Sequence, residues 1–232
     1  MAETVPRRAP RRDEIAAHTV EVLHRGSRFK SDLLVVDLGE GPMLVKDFGA
    51  AEKVWWVRLV GRVLIGYECR AYRYLGPMPS IPRFFGRVDA HALAIEKIDG
   101  AVPLTLAPDR FDNRRAHLRN LRRVIDRFLD RGFAHLDMRA RRNVLVRPDG
   151  EVFAVDFAGS LWLPPGTLRH RLLQPWLRWL YRTIFLKWKK LLTPGRSSRD
   201  EKTPLGRFFL WLRMPHRWRS KKVPIWRRNG GE

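Results

Sequence analysis

The sequence predicts an α+β fold, with a small antiparallel sheet in residues 19–100 and a mostly helical second half. Three observations carry that expectation. Short β-branched and apolar runs, Met43 to Lys46, Arg83 to Asp89 and Ala92 to Ile98, are bounded by turn residues. Two longer stretches, Ala50 to Leu75 and Asn113 to Arg131, keep apolar residues at helical spacing. Between Asn143 and Asp156, two short apolar runs are joined by Pro148-Asp149-Gly150, a turn signal.

Taken in chain order, residues 1–18 read as a basic flexible tail, with Arg7, Arg8, Arg11 and Arg12 among prolines and alanines. It lacks the apolar core of a secretory signal. The turn Gly39-Glu40-Gly41-Pro42 leads into Met43-Leu44-Val45-Lys46, a strand ending in a lysine. On the helix expected from Ala50 to Leu75, Glu68, Ala71, Tyr72 and Leu75 share one face, which would turn toward the sheet. Asp99-Gly100 suits a hinge after the second strand pair. In the helix from Asn113 to Arg131 the inward stripe is Leu118, Leu121, Val124, Ile125, Phe128 and Leu129, with Gly132 as its terminator. A further basic helix begins near Thr167, directly after Pro164-Pro165-Gly166.

The residues that carry chemistry are His135-Leu136-Asp137, Asn143 and Val155-Asp156-Phe157. Phosphoryl transfer needs an acid to orient the acceptor hydroxyl, and an amide and a second acid to hold divalent cations on the phosphates. Asp137, Asn143 and Asp156 come in that order. The hairpin between Asn143 and Asp156 would bring the two metal ligands to one end of a strand pair. Upstream, Lys46 on its strand and Glu68 on the next helix could form an ion pair.

Together these residues resemble the protein-kinase-like superfamily over roughly Thr19 to Ser160, most closely the bacterial kinases of the lipopolysaccharide core (the Kdo/heptose group), with RIO-type atypical kinases next. The resemblance implies a two-lobed fold, residues 19–100 forming the first lobe and 101–192 a shortened helical second lobe. It also implies ATP and Mg²⁺ as cofactors, with Asp137, Lys46 and Glu68 catalytic, Asn143 and Asp156 as metal ligands, and Lys46, Gly26, Ser27, Glu96 and Arg139 at the nucleotide. His135 is expected to be a core residue bonded to a backbone carbonyl, not a base. The chain departs from the family at three points. Five residues, Met138 to Arg142, separate Asp137 from Asn143 where four are usual; Ala158 stands where the family has Gly; and Gly26 is the only glycine of the phosphate loop, leaving Arg28 or Lys30 to help cover the phosphates.

Composition bounds the rest. The 232 residues, 44% hydrophobic, suffice for one domain of two lobes. The single cysteine, Cys69, excludes an intrachain disulfide. No apolar run of about 18 residues is present, so no spanning helix is expected. The net charge of +22 is concentrated late: residues 166–232 hold eighteen Lys and Arg against three acidic residues, and six of the nine Trp. Cationic and Trp-rich segments lie in membrane interfaces.

Residues 193–232 are therefore expected to adhere to an anionic membrane surface, with Leu205 to Arg228 the strongest case. The run Trp176 to Leu192 could instead pack inward through Leu177, Leu180, Tyr181, Ile184, Trp188 and Leu191. Nucleic acid is disfavoured, because the aromatics sit beside leucines in helical context and not along strands. The short segment after Asp156 leaves no peptide-docking platform, which favours a sugar hydroxyl of a membrane glycolipid as acceptor and a peripheral place on the inner face of the cytoplasmic membrane. An atypical protein kinase, a catalytically weak pseudokinase and a basic nucleic-acid-binding protein stay open as alternatives.

Overall fold

Alternation along the strands decides how the first half of the chain is built. The computed structural model describes residues 8–26, 30–50, 53–106 and 113–193. Helix α1 (Arg12–His18) precedes β1 (Thr19–His24), β2 (Asp32–Asp37) and β3 (Pro42–Asp47); helix α2 (Trp55–Leu75) follows, then β4 (Phe84–Arg87) and β5 (Ala92–Glu96). These five strands form one antiparallel sheet in the order β1-β2-β3-β5-β4. Successive side chains point to opposite faces. One face, with Val36, Met43, Val45, Ala92 and Ala94, closes over Ile15 of α1. The other, with Leu44, Leu93 and Ile95, joins α2 and the larger core. Lys46 shares the parity of Leu44 and so lies on the α2 side.

The second half begins with β6 (Val102–Pro103), a 3-10 turn at Leu104–Leu106 and helix α3 (Arg114–Asp130). Asn113 caps α3 by accepting from the Ala116 amide at 3.0 Å. Next come β7 (Phe133–His135), β8 (Val144–Val146), β9 (Val152–Ala154), a 3-10 turn at Phe157–Gly159, β10 (Ser160–Trp162) and α4 (Leu168–Leu192). Strands β6, β8 and β9 form one small antiparallel sheet, and β10 pairs with β7 in another. Among the described residues, no helix is long and apolar enough to cross a membrane.

The mixed α+β class and the antiparallel sheet agree with expectation, and the exceptions have physical causes. Residues 12–18, expected as flexible tail, form α1. Ile15 is buried, Arg12 bridges Asp47 and Asp89 at 2.6 and 2.7 Å, and Glu14 accepts from the Arg11 amide at 2.6 Å, closing the first turn. Helix α2 starts at Trp55 and not Ala50, because the chain turns through the Lys53 amide on the Ala50 carbonyl and sends the Lys53 side chain into a buried ion pair with Asp32 at 2.7 Å. Strand β4 is shorter than Arg83 to Asp89, broken by a register irregularity between Phe84 and Gly86, where Gly86 has φ 142°.

Inside α2, Gly61 allows close approach. A Cβ there would lie 2.4 Å from the Phe48 side chain. The stripe foreseen on α3 points inward, with Leu121, Val124, Ile125 and Phe128 buried and Leu118 and Leu129 partly so. On α4 the inward reading holds for the described part: Leu177, Tyr181, Ile184, Trp188 and Leu192 are buried in the main core. The segment assigned to the membrane, 193–232, lies outside the described residues except for Thr193.

Candidate active site

Four elements bring the charged residues together. Lys46 comes from β3, Glu68 from the buried side of α2, Asp137 and Asn143 from the loop between β7 and β8, and Asp156 from the end of β9. The β8–β9 register pairs Val144 with Ala154, and just beyond it the Val155 amide donates to the Asn143 carbonyl at 3.1 Å. Asn143 and Asp156 therefore leave the hairpin at the same end, as the turn at Pro148 to Gly150 led one to expect.

Lys46 Nζ donates to Glu68 Oε2 and to Asp156 Oδ1, both at 2.8 Å. The second oxygen of Glu68 accepts from the Phe157 amide at 3.3 Å, which fixes the strand-to-turn junction to α2. Burial pulls the ammonium's pKa down, but the two carboxylates outweigh it and hold it above its ordinary value. Desolvation works on the acids too. It raises Glu68, which is almost wholly enclosed; for Asp156 it is outweighed by Lys46, so that carboxyl lies below the usual range. One ammonium between two carboxylates leaves a surplus of negative charge, which suits a cation on the open side of Asp156.

Asp156 itself adopts φ 66° and ψ 73°, left-handed backbone that costs a non-glycine residue about 1–3 kcal/mol and clusters at functional sites. The twist follows from two demands: its carboxylate reaches Lys46 while the next residue buries its ring. Phe157 packs edge-on to Tyr72, Phe128, Phe133 and His135, with centroids 4.9 to 6.2 Å apart.

The loop from His135 to Asn143 is folded into consecutive turns. Met138, Ala140 and Asn143 amides donate to the carbonyls of His135, Asp137 and Ala140. Asn143 Nδ2 then donates to Asp137 Oδ2 at 2.9 Å and to the Asp137 carbonyl at 3.1 Å. Arg142 stands 3.6 Å from the same carboxylate. Helix α4 holds the loop from behind: Trp188 Nε1 donates to the Met138 carbonyl at 3.1 Å, Lys187 donates to the Arg139 carbonyl, and the Tyr181 hydroxyl accepts from the His135 amide at 3.0 Å. His135 is a buried core residue, its Nε2 within 3.1 Å of the Val155 carbonyl, and burial drives its pKa down to about 4.

No known family model matches the sequence, and no curated protein is significantly similar to it.

The donor set around Asp156 fits a hard divalent cation. With Nδ2 of Asn143 spent on Asp137, its amide oxygen is the atom left to ligate, and one oxygen of Asp156 remains beyond the Lys46 contact. Among the described residues no three His, Cys, Asp or Glu cluster as a self-sufficient metal site. Mg²⁺ is bound in that manner, by one or two protein oxygens with waters and substrate phosphates completing the shell.

The remaining candidates are placed differently. Glu96 ends β5, and its carboxylate accepts from the Arg83 amide at 3.0 Å. Ser27 and Arg28 lie outside the described residues. Gly26 is pinned: its amide donates to Asp32 Oδ1 at 2.7 Å, and its carbonyl accepts from Lys53 at 3.1 Å. A Cβ on Gly26 would fall 2.3 Å from the Lys30 carbonyl oxygen, so only glycine fits. Of the loop arginines, Arg142 and not Arg139 reaches Asp137. Sequence reasoning missed the Asp32–Lys53 pair, since neither residue lies in a motif and Asp32, at the head of β2, meets Lys53, just before α2, only in the fold.

Proposed function

We propose that this protein is an ATP- and Mg²⁺-dependent phosphotransferase acting on a sugar hydroxyl of a membrane glycolipid, such as the Kdo or heptose of a lipopolysaccharide core, and working at the inner face of the cytoplasmic membrane. A protein-kinase-like two-lobed arrangement is part of the proposal. The observation that carries it is the contact of Lys46 Nζ with both Glu68 and Asp156 at 2.8 Å, beside a hydrogen-bonded Asp137–Asn143 pair. These five groups, drawn from four separate elements, are of the kinds that phosphoryl transfer uses, which supports the reading.

In this reading Lys46 binds the nucleotide phosphates, and Glu68 keeps its ammonium charged and aimed. Asp137 accepts a hydrogen bond from the acceptor hydroxyl and orients it in line with the γ-phosphorus. Asn143 holds Asp137 in place through Nδ2. Mg²⁺, bound at Asn143 and Asp156, would neutralise charge developing on the phosphate oxygens. Arg142 offers a positive group to an anionic sugar acid or phosphate. The chain from Gly159 to α4 supports a compact acceptor, because β10 folds straight back onto β7 and the helix starts at Leu168.

The test is transfer of labelled γ-phosphate from ATP to a lipopolysaccharide extract, read with mass spectrometry of the glycolipid. Asp137→Ala and Asp156→Ala should each reduce transfer by about 10²–10⁴-fold with the fold intact, the range expected for loss of a positioned acid or base. Full transfer by either variant would remove the mechanism. Nucleotide binding without any transfer by the wild-type chain would make it a pseudokinase.

A further inference from the structure

The N-terminal half of α2 is apolar on the side turned away from the protein. Trp55, Leu59 and Val63, one helical turn apart, are 75%, 56% and 65% exposed, and Trp56 and Val60 lie beside them. The opposite side, with Val57, Gly61, Ile65 and Glu68, is buried. Every exposed charge that α2 itself carries is positive. Arg58, Arg62, Arg70 and Arg73 are exposed with no acidic partner among the described residues, and the helix's single acidic residue, Glu68, is buried on Lys46. An apolar patch with a charged rim marks an interaction surface.

Charge selects the occupant. Residues 194–232 carry eleven basic against three acidic residues, and the whole chain carries +22, so neither the chain's own C-terminal segment nor a second copy complements an arginine-rimmed face. An anionic bilayer does. It attracts the arginines, seats indole rings at headgroup level and takes Leu and Val side chains into the acyl boundary.

We infer that the outer face of α2 is a peripheral membrane-docking surface, with Trp55, Leu59 and Val63 entering an anionic bilayer and Arg58 and Arg62 meeting lipid phosphates. This deepens the proposed use of a membrane-held acceptor by naming the surface that meets the lipid, yet docking requires no phosphoryl transfer. The same helix carries Glu68 on its inner side, so the element that touches lipid also aligns Lys46.

The test uses the full chain with Leu59→Cys labelled by the environment-sensitive fluorophore NBD; the native Cys69 is buried and stays unlabelled in the folded protein. With vesicles containing phosphatidylglycerol the emission should shift to the blue and intensify; with pure phosphatidylcholine it should not change. Trp55→Ser combined with Val63→Ser should lower partitioning into the anionic vesicles by about tenfold, with circular dichroism unchanged. The inference is overturned if the chain sediments with vesicles while the label stays in water, since another segment then does the docking. It is overturned as well if the label is already shielded without lipid, whether independently of protein concentration (the C-terminal segment covers the face) or rising with it (a second copy does), or if nothing sediments. A chain that gives the lipid shift but transfers no phosphate leaves docking standing and removes only the phosphotransferase reading.

Discussion

Lys46 neutralises Glu68 in a place that water scarcely reaches, so the two residues stand or fall together. Lys46→Met should destabilise the protein by about 3–5 kcal/mol, the cost of leaving a buried charge unpaired, while Lys46→Met with Glu68→Gln should recover much of that loss in urea denaturation but none of the proposed transfer. His135 sets a pH limit of its own. Its folded pKa of about 4 lies below that of an exposed imidazole, ~6.5, so the unfolded chain takes up a proton that the folded chain refuses. The stabilisation is complete above ~6.5 and is lost as pH falls through about 4, about 3 kcal/mol in all. Measured from pH 7 to 4, the stability gap between wild type and His135→Asn should narrow by roughly that amount. His117, also lowered by burial, adds to the wild-type loss with the same sign. The contacts of Lys46 with Glu68 and Asp156, and of Asn143 with Asp137, were legible because each chemical group sat at a set distance from a strand or helix signal. Asp32 with Lys53 was not, since a pairing between the first residue of a strand and a distant connector depends on tertiary placement that no local pattern encodes.

Helix α2 has two glycines whose surroundings differ, and substitution should move stability in opposite directions. Gly61→Ala drives a methyl into Phe48 and should lower stability by about 1–3 kcal/mol. Gly66→Ala meets nothing within 4 Å and should raise it by about 0.5–1 kcal/mol through helix propensity. Thermal melts of the two variants against wild type check both signs. The inner stripe of this helix was readable from spacing, because burial and period coincide at Glu68, Ala71, Tyr72 and Leu75. Its start was not, since the five residues before Trp55 contain no capping side chain to mark it, and Val54 at the cap position makes no side-chain bond. In α4 both an inward and a membrane-facing reading suited the same letters. Packing decided for the core at Leu177, Tyr181, Ile184 and Trp188, a choice that depends on what lies opposite and not on the helix itself.

Across the whole molecule the loop that bears Asp137 is shaped by α4, the last helix among the described residues. Trp188→Phe keeps most of the packing but removes the bond to the Met138 carbonyl; stability should fall by about 1 kcal/mol, and under the proposed phosphotransfer turnover should fall with little change in the KM for ATP, since Lys46 and Glu68 are untouched. Steady-state kinetics beside a urea melt separates the two effects. The class of fold was legible from strand runs and helical spacing. That α4 serves as the back wall of the loop was not, because Met138, Phe133 and His135 lie far from Tyr181 and Trp188 in sequence. A dependence on timing follows. While the protein is being synthesised, strands, acids and lysine all leave the ribosome before the wall that sets their loop. A nascent chain stopped short of Trp188 carries every charged group of the cluster but lacks the side chain that holds the Met138 carbonyl, so premature termination there should yield a fragment whose Asp137 loop is unformed.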